Sequence, residues 1–494
     1  MIIFIKGPTE RKRIEIGPYD KIYKKAKEVF GKENFTLSYD EDNTQKVDGN
    51  SNILDLNLKK GTTLFIHYDI VKSDIKREKD KMMCNHDSNA MCANCAPLDP
   101  WDAKYMADKK IKYLSFGSYK EMCKYKNMDL SMEDYSSKKC KDHKPNIRCV
   151  NCQEKDIFLN PQRYRMVDHV EFDDAAMVQN FIKNWKDSRR QYFGFLIGKY
   201  KTYDMVPLGR KALVSGIWLP EQENFPDGFV INELSYGDFL KDSGLEIVGM
   251  IYSDLIFDGH MTSSKLKEDF FLSSLEVDFI SKMQFMFPNF ENKNLLNSKF
   301  VTIVVTSNIQ GEIELMEYQV SSQCMALTRG NFILPTDNPK LFYTTKNIFY
   351  KTIEDDGSLK SVKADPFLPV EFFLVKLTHG NKQNPLFLNN TPFYGSVTNK
   401  KLAEYFNEDY SFEKFSNFDL LQRLKDKFKD FNELLKCIVE KDRNYFKFFT
   451  EQENFKEFTN SLQKYYKRSW ICAACTFINE KNLDRCEICE TPNQ

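Results

Sequence analysis

Residues 470–479 read Trp470-Ile471-Cys472-Ala473-Ala474-Cys475-Thr476-Phe477-Ile478-Asn479, and after six further residues come Cys486-Glu487-Ile488-Cys489. Two Cys-x-x-Cys pairs with ten residues between them supply four thiolates. That is the ligand set of a closed tetrahedral zinc site with no position left for water. Such a site builds a fold and performs no chemistry, so function rests on what the knuckles display. They display Thr476, Phe477 and Ile488, apolar or half-apolar groups on a knuckle too small to bury them. The spacing predicts a small binding module over 470–494.

The same ligand logic extends upstream. Of thirteen cysteines, Cys123, Cys324 and Cys437 alone fall outside Cys-x-x-Cys or Cys-His groups. Cys84 and His86 precede Cys92 and Cys95; Cys140 and His143 precede Cys149 and Cys152. Each set offers three thiolates and one imidazole, and neither comes with an evident open position or general base. With the terminal four-thiolate set they predict three structural zinc ions. Clustering of this kind without a secretory leader points to zinc in a reducing compartment rather than to disulfides. Met1–Lys6 is too short and too soon charged for a signal peptide. No run of about eighteen apolar residues offers a membrane span. Lys plus Arg and Asp plus Glu are 71 each, so no net field draws the chain to nucleic acid or an anionic membrane. The expectation is a soluble intracellular protein with no nucleic-acid partner and no direct membrane insertion.

With 494 residues the chain can hold several domains. Ile2–Ile5 and Arg13–Ile16 are short β-rich runs, and Asp20–Phe30 carries Ile22, Ala26, Val29 and Phe30 at helical spacing. Leu64–Tyr68 follows Lys60-Gly61-Thr62 as a last strand. Strand, strand, helix and closing strand is the order of a ubiquitin-like β-grasp over 1–69; a generic small α+β domain is the other reading. Residues 70–83 are charge-rich and read as a solvated linker. A zinc domain with the two sets of three Cys and one His spans 84–164. Beyond it Asp173 or Asp174 can cap a helix whose apolar face is Val178, Phe181, Ile182 and Trp185. Strand-like runs follow at Tyr192–Ile197, Ala212–Trp218, Leu245–Tyr252, Phe300–Val305 and Phe372–Leu377. They predict a larger α/β domain over 165–306 with an extension over 307–468, which ends in helical periodicity through Leu420, Leu421, Leu424 and Phe428. The fold class is multidomain α+β.

The terminal pattern, from Trp470-x-Cys472 through Thr476-Phe477-x-Asn479 to the last Cys-x-x-Cys, resembles the Npl-type, ubiquitin-binding branch of the RanBP zinc fingers. The resemblance implies that Thr476, Phe477 and Ile488 meet ubiquitin's hydrophobic patch. A sister branch binds single-stranded RNA through Arg and stacked aromatics. It has Arg three residues after the Asn, where this chain has Asn482.

Cys84-Asn85-His86, Met91-Cys92-x-x-Cys95, Asp99-Pro100-Trp101-Asp102 and Ile111–Phe116 resemble the zinc domain of the nuclear protein localization protein 4 family. Arg165–Phe172, Pro207-Leu208-Gly209, Phe271–Ser274, Ser298–Thr302, Tyr318–Ser321 and Pro369-Val370-Glu371 carry the likeness through nearly the full chain. It implies a UBX-like β-grasp, a zinc domain, an MPN-like α/β domain with a C-terminal extension, and the terminal finger. It also implies a non-catalytic adaptor that binds polyubiquitin. With the ubiquitin fusion degradation partner, such an adaptor delivers ubiquitinated proteins to a hexameric AAA unfoldase of the valosin-containing type. The implied setting is cytoplasm and nucleus, peripheral to the endoplasmic reticulum and nuclear envelope, in ER-associated degradation. One departure lies at Lys144–Arg148, where relatives carry a Trp-Pro-x-Gly stretch.

Active MPN metalloproteases hold zinc with two His in His-x-His-Pro and a carboxylate in Ser-x-x-Asp, with an upstream Glu as general base. Aligned to that pattern, Tyr252 and Asp254 stand where the histidines belong, and Leu255 where the proline does. Gln191 occupies the base position, and Ser273-Ser274-Leu275-Glu276 keeps a serine and a carboxylate. An amide cannot take a proton from zinc-bound water as a carboxylate does, so the alignment predicts an inactive domain. The alternative is a zinc-dependent deubiquitinase with Tyr252, Asp254 and Glu276 as noncanonical ligands, which would need a fourth zinc. An RNA-binding finger is the further alternative.

Overall fold

A computed structural model describes residues 2–6, 11–17, 20–30, 35–40, 61–68, 75–130, 156–232, 238–257, 270–288, 297–353, 358–388, 397–466 and 470–492, apart from short gaps within some of these ranges and with a few isolated positions besides. The chain forms two compact units, Met1–Asp99 and Pro100–Gln494.

In the first unit, Ile2–Lys6 pairs antiparallel with Arg11–Glu15 and parallel with Thr63–Tyr68. Thr63–Tyr68 in turn pairs antiparallel with Phe35–Ser38. Strand alternation sends Ile3, Ile5, Ile14, Leu64 and Ile66 to one face. There Ile22 and Ala26 of the helix Ile22–Phe30 complete a closed core. Phe35–Ser38 was not legible as a strand, because four residues are too few for a period. Its register, Leu37 opposite Ile66, is what buries Leu37. Further on, Ile75 bridges Leu98, and Arg77 Nε donates to Ala96 O at 2.7 Å. Part of the charge-rich 70–83 segment is thus tied by backbone pairing to the chain just past Cys95.

The second unit is built on an eight-stranded sheet. Its spatial order is Leu374–Lys376, Ile313–Val320, Val301–Ser307, Glu246–Ser253, Phe193–Tyr203, Gly209–Trp218, His169–Phe172, His379–Asn381. Residues beyond 307 therefore add strands to the sheet that the preceding residues begin. Alternation separates two cores. Val170, Phe172, Leu196, Val214, Val248 and Ile251 face the helix Ala175–Ser188, whose Val178, Phe181 and Trp185 cover them. Asp174 caps that helix by accepting from Ala176 N, whereas Asp173 accepts from Ser215 Oγ at 2.5 Å. Phe193, Phe195, Ile197, Met250, Tyr252 and Tyr318 lie in the opposite core. That core is continuous with the helix Ser274–Met286 and with C-terminal helices from Asn399–Phe406 to Glu453–Gln463. The approach of these helices is close: a Cβ on Gly216 would stand 2.5–2.8 Å from ring carbons of Phe418.

Phe372 differs from its expected place in a strand. It lies in a single 3-10 turn, Val370–Phe373, and the strand begins at Leu374. Pro369 opens that turn, with the following residues already curling before the sheet captures Leu374–Lys376. The motif Pro207-Leu208-Gly209 also gains a structural reason. Ser115 and Ser118 both donate to Pro207 O, at 2.6 and 2.7 Å, and Gly117 lets the helix Phe116–Tyr125 settle directly on Leu208. Among the described residues, no helix is long and apolar enough to cross a membrane.

Candidate metal centres and the Gln191 corner

Each terminal Cys-x-x-Cys pair folds into the same tight turn. Thr476 N donates to Cys472 O and Cys472 N to Phe477 O, both at 2.9 Å. Glu490 N donates to Cys486 O and Cys486 N to Thr491 O, again at 2.9 Å. Thr476 and Glu490 take matching left-handed conformations, with φ of 59° and 57°. For β-branched Thr476 that is a sparsely populated region, and the paired backbone bonds hold it there. The two turns bring Cys472, Cys475, Cys486 and Cys489 together. Sulfur–sulfur distances are 3.4 Å for 472–489, 3.4 Å for 475–486 and 3.3 Å for 475–489.

Zinc at about 2.3 Å from each thiolate would set its sulfurs about 3.8 Å apart. Slight opening of the present cluster reaches that geometry, and a four-sulfur donor set suits zinc. Asn479, 1 % exposed, lies between the knuckles. Its Oδ1 accepts from Glu487 N at 2.9 Å and its Nδ2 donates to Phe477 O at 3.2 Å. Outside this small core stand Thr476, Phe477 at 38 % exposure and Ile488 at 65 %. Ile471 and Ile478, paired across the two-stranded hairpin, are exposed as well. Sequence reading passed over them, since two-residue strands carry no alternation to detect.

Cys84, His86, Cys92 and Cys95 also converge, with donor atoms within 4.8 Å of one another. Cys92 Sγ lies 3.7 Å from Cys84 Sγ and 3.8 Å from Cys95 Sγ, and Cys95 Sγ lies 3.2 Å from His86 Nε2. These spacings are those of a tetrahedral zinc site with three thiolates and one imidazole. The backbone N–H of Asn94 is the chief cause pulling the Cys92 thiol down to about 6, with the Cys84 and Cys95 thiols adding to it. A metal-binding thiol must ionise, and this turn favours the ion. Met82 and Met83 stand exposed just before it. The second predicted set, Cys140, His143, Cys149 and Cys152, lies outside the described residues.

Tyr252 and Glu276 meet in the core, while Gln191, just before the strand that pairs with Tyr252, bonds to residues 226, 253 and 255 instead. Gln191 is 4 % exposed. Its Nε2 donates to Pro226 O and Leu255 O, both at 2.7 Å. Its Oε1 accepts from Ser253 Oγ at 2.9 Å and Leu255 N at 3.3 Å. The amide thus staples the sheet's entry to the two loops beside it. Tyr252 points into the core and donates its hydroxyl to Glu276 Oε1 at 3.0 Å. Burial, reinforced by Glu276 and Asp254, holds its phenol well above the usual range. Glu276 Oε2 accepts from both the backbone N and the Oγ of Ser273, closing the capping box of the helix Ser274–Met286. Asp254 is positioned by its backbone N donating to Val305 O at 2.8 Å. Glu276 therefore has a folding role that Ser-x-x-Glu ahead of an apolar run could have signalled. Among the described residues, clusters of three or more Cys, His, Asp or Glu with metal-ligand geometry occur at the two cysteine sites above.

Comparison with known sequences matches one family over two stretches of the chain. Residues 192–463 match the NPL4 family, and residues 65–189 match the NPL4 family zinc binding region. Among similar proteins is nuclear protein localization protein 4 of Vanderwaltozyma polyspora, 35 % identical over 407 residues, covering 71 % of this chain and 72 % of that one. The protein of the same name from Candida glabrata is 36 % identical over 394 residues, covering 71 % and 67 %. Its counterpart from Saccharomyces cerevisiae is 35 % identical over 373 residues, covering 67 % and 64 %.

Proposed function

This chain belongs to the NPL4 family, and from that premise we propose that it is a non-catalytic adaptor that binds polyubiquitin. With the ubiquitin fusion degradation partner, it hands ubiquitinated proteins to a hexameric AAA unfoldase of the valosin-containing type. The observation that carries the ubiquitin reading is the exposure of Phe477 and Ile488 on the tips of a closed four-thiol knuckle. An apolar pair held outside a core that has no room for it is suited to an apolar patch on a folded partner. A weak single contact of this kind gains affinity when linked to others on one chain of ubiquitins.

The remaining parts fill complementary roles in this reading. Residues 1–69 act as a UBX-like β-grasp that docks on the ATPase; the mixed sheet with one parallel pair and one covering helix supports that assignment. Residues 70–83 are the charged linker, and 84–164 the zinc domain seated on the ATPase ring. Residues 165–306 form an MPN-like domain with 307–468 as its extension, and 470–494 the ubiquitin-binding finger. The inactive reading is supported by the Gln191 corner, where an amide bonded on both sides stands in the general-base position. In the core, Glu276 is likewise engaged, its Oε1 accepting from Tyr252 and its Oε2 from Ser273. Three structural zinc ions complete the assignment, and the protein works in cytoplasm and nucleus, beside the endoplasmic reticulum and nuclear envelope.

Titrating ubiquitin tetramers against the full chain and a chain ending at Lys467 tests the central claim. A strong loss on truncation makes Thr476, Phe477 and Ile488 the principal receptor. Unchanged affinity moves recognition to the zinc domain or the MPN-like body. Binding by neither chain leaves recruitment to the partner protein and refutes polyubiquitin binding by this chain.

A further inference from the structure

The finger's two apolar residues sit on different knuckles, Phe477 beyond the first and Ile488 within the second. Their separation therefore depends on how the knuckles are held to each other. Sulfur–metal bonds alone leave each knuckle free to rock about the line joining its own two sulfurs. The described hairpin, Trp470–Ile471 with Ile478–Asn479, stays on the first knuckle's side and adds no brace across. Asn479 does reach across. Its carboxamide accepts from the backbone N–H of Glu487, immediately before Ile488, donates to the backbone carbonyl of Phe477, and is also hydrogen-bonded to the Cys486 thiol of the second knuckle. One side chain thus ties the backbone of one displayed residue to the neighbour of the other. It is 1 % exposed, so water does not compete for these bonds.

We propose that Asn479 is a positioning residue for ubiquitin recognition. It fixes the spacing of Phe477 and Ile488 that the partner reads, without touching the partner itself. The proposal rests on the ubiquitin-binding reading of the finger. The backbone symmetry of the knuckles sharpens it. Thr476-Phe477 and Glu490-Thr491 occupy equivalent positions, as do Ala474 and Ile488. Neither knuckle carries both apolar groups, so the patch exists only when the two knuckles are registered, and Asn479 sets that register.

The test compares Asn479→Leu, Asn479→Asp and Phe477→Ala in the full-length, zinc-loaded chain. Leucine removes all of Asn479's hydrogen bonds at nearly constant volume, and aspartate keeps the acceptor for Glu487 N–H while losing the donor to Phe477 O and to the Cys486 sulfur. Three quantities are read: zinc per chain, hydrogen exchange at the Glu487 amide, and affinity for labelled monoubiquitin. The expected result is unchanged zinc content in both Asn479 variants and loss of Glu487 protection in the leucine variant alone. Affinity should fall about tenfold for leucine and by a smaller factor for aspartate, as losing all of the restraints or only some would give. Full affinity in both Asn479 variants with zinc retained overturns the proposal. Should the leucine variant lose zinc, the aspartate variant decides, and unchanged affinity there overturns it equally. Unchanged affinity in Phe477→Ala refutes the ubiquitin reading instead. In that case the Glu487 exchange alone tests the brace, and retained protection in the leucine variant refutes it.

Discussion

Replacing Gln191 by glutamate puts back the carboxylate that a general base would supply, and the structure predicts that the fold loses by it. The two carbonyls 2.7 Å from Nε2, on Pro226 and Leu255, identify the donor side of the amide. A carboxylate there faces two acceptors with no hydrogen to offer. Two hydrogen bonds worth about 1 kcal/mol each are lost, and a buried carboxylate facing a Pro226 carbonyl stripped of this donor adds about 1–3 kcal/mol, whereas Leu255 O keeps the Trp185 Nε1 donor. The expected destabilisation at pH 8 is about 3–5 kcal/mol. Burial beside acceptors raises the folded-state pKa of the new carboxyl above its unfolded value of about 4.3. The protonated form donates to one carbonyl. The deficit is therefore smallest at acid pH and grows as pH rises from the unfolded value through the folded one. Urea unfolding followed by tryptophan fluorescence provides the assay, because Trp185 Nε1 donates to the same Leu255 O at 3.2 Å. A variant within about 0.5 kcal/mol of the parent at pH 8 would refute the staple, since surface-like substitutions stay in that range. Zinc-dependent cleavage of an isopeptide bond by the parent chain would refute the inactive reading.

Three further outcomes follow from the same structure. Cys472→Ser should remove one zinc per chain and unfold the last twenty-odd residues while the tryptophan-reported melting of the body stays in place; metal analysis with hydrogen exchange reads both, and a shifted body transition contradicts a self-contained finger. Gly216→Ala pushes a methyl into the Phe418 ring and should cost about 1–3 kcal/mol, seen as a lowered thermal midpoint; an unchanged midpoint means the C-terminal helices do not press on the sheet as closely as drawn. His379, hydrogen-bonded to the nearly buried Glu317, has its pKa raised above 6.5 by that bond, against partial burial. Its contribution to stability is complete below the unfolded value and is lost as pH rises through the folded one; His379→Gln should flatten that slope in denaturation measured from pH 6 to 8, and an unchanged slope assigns the dependence elsewhere.

Much of the candidate site was legible because metal ligation imposes its own spacing. The pairs Cys472–Cys475 and Cys486–Cys489, and Cys84, His86, Cys92 and Cys95, were readable before folding because a tetrahedral site needs those donors a fixed distance apart. Helix starts were legible where a short polar side chain meets an apolar period, as at Asp174. The staple at Gln191 was not, because its four partners come from residues 226, 253 and 255, and no local pattern records them. Glu276 shows the limit of motif reading: the same Ser-x-x-Glu suits a metal ligand or a capping box, and the helix that follows it in space decided for the cap.

The sequence by itself determined two of the ligand sets, several of the sheet's strands, and the family. Those depend on spacing along the chain, which survives unfolding. The tertiary structure alone decided which strands adjoin, that Tyr252 faces Glu276 in a buried core, and that Asn479 joins two knuckles. Hydrogen bonds between residues far apart in sequence follow from packing, and packing exists once the chain has closed on itself.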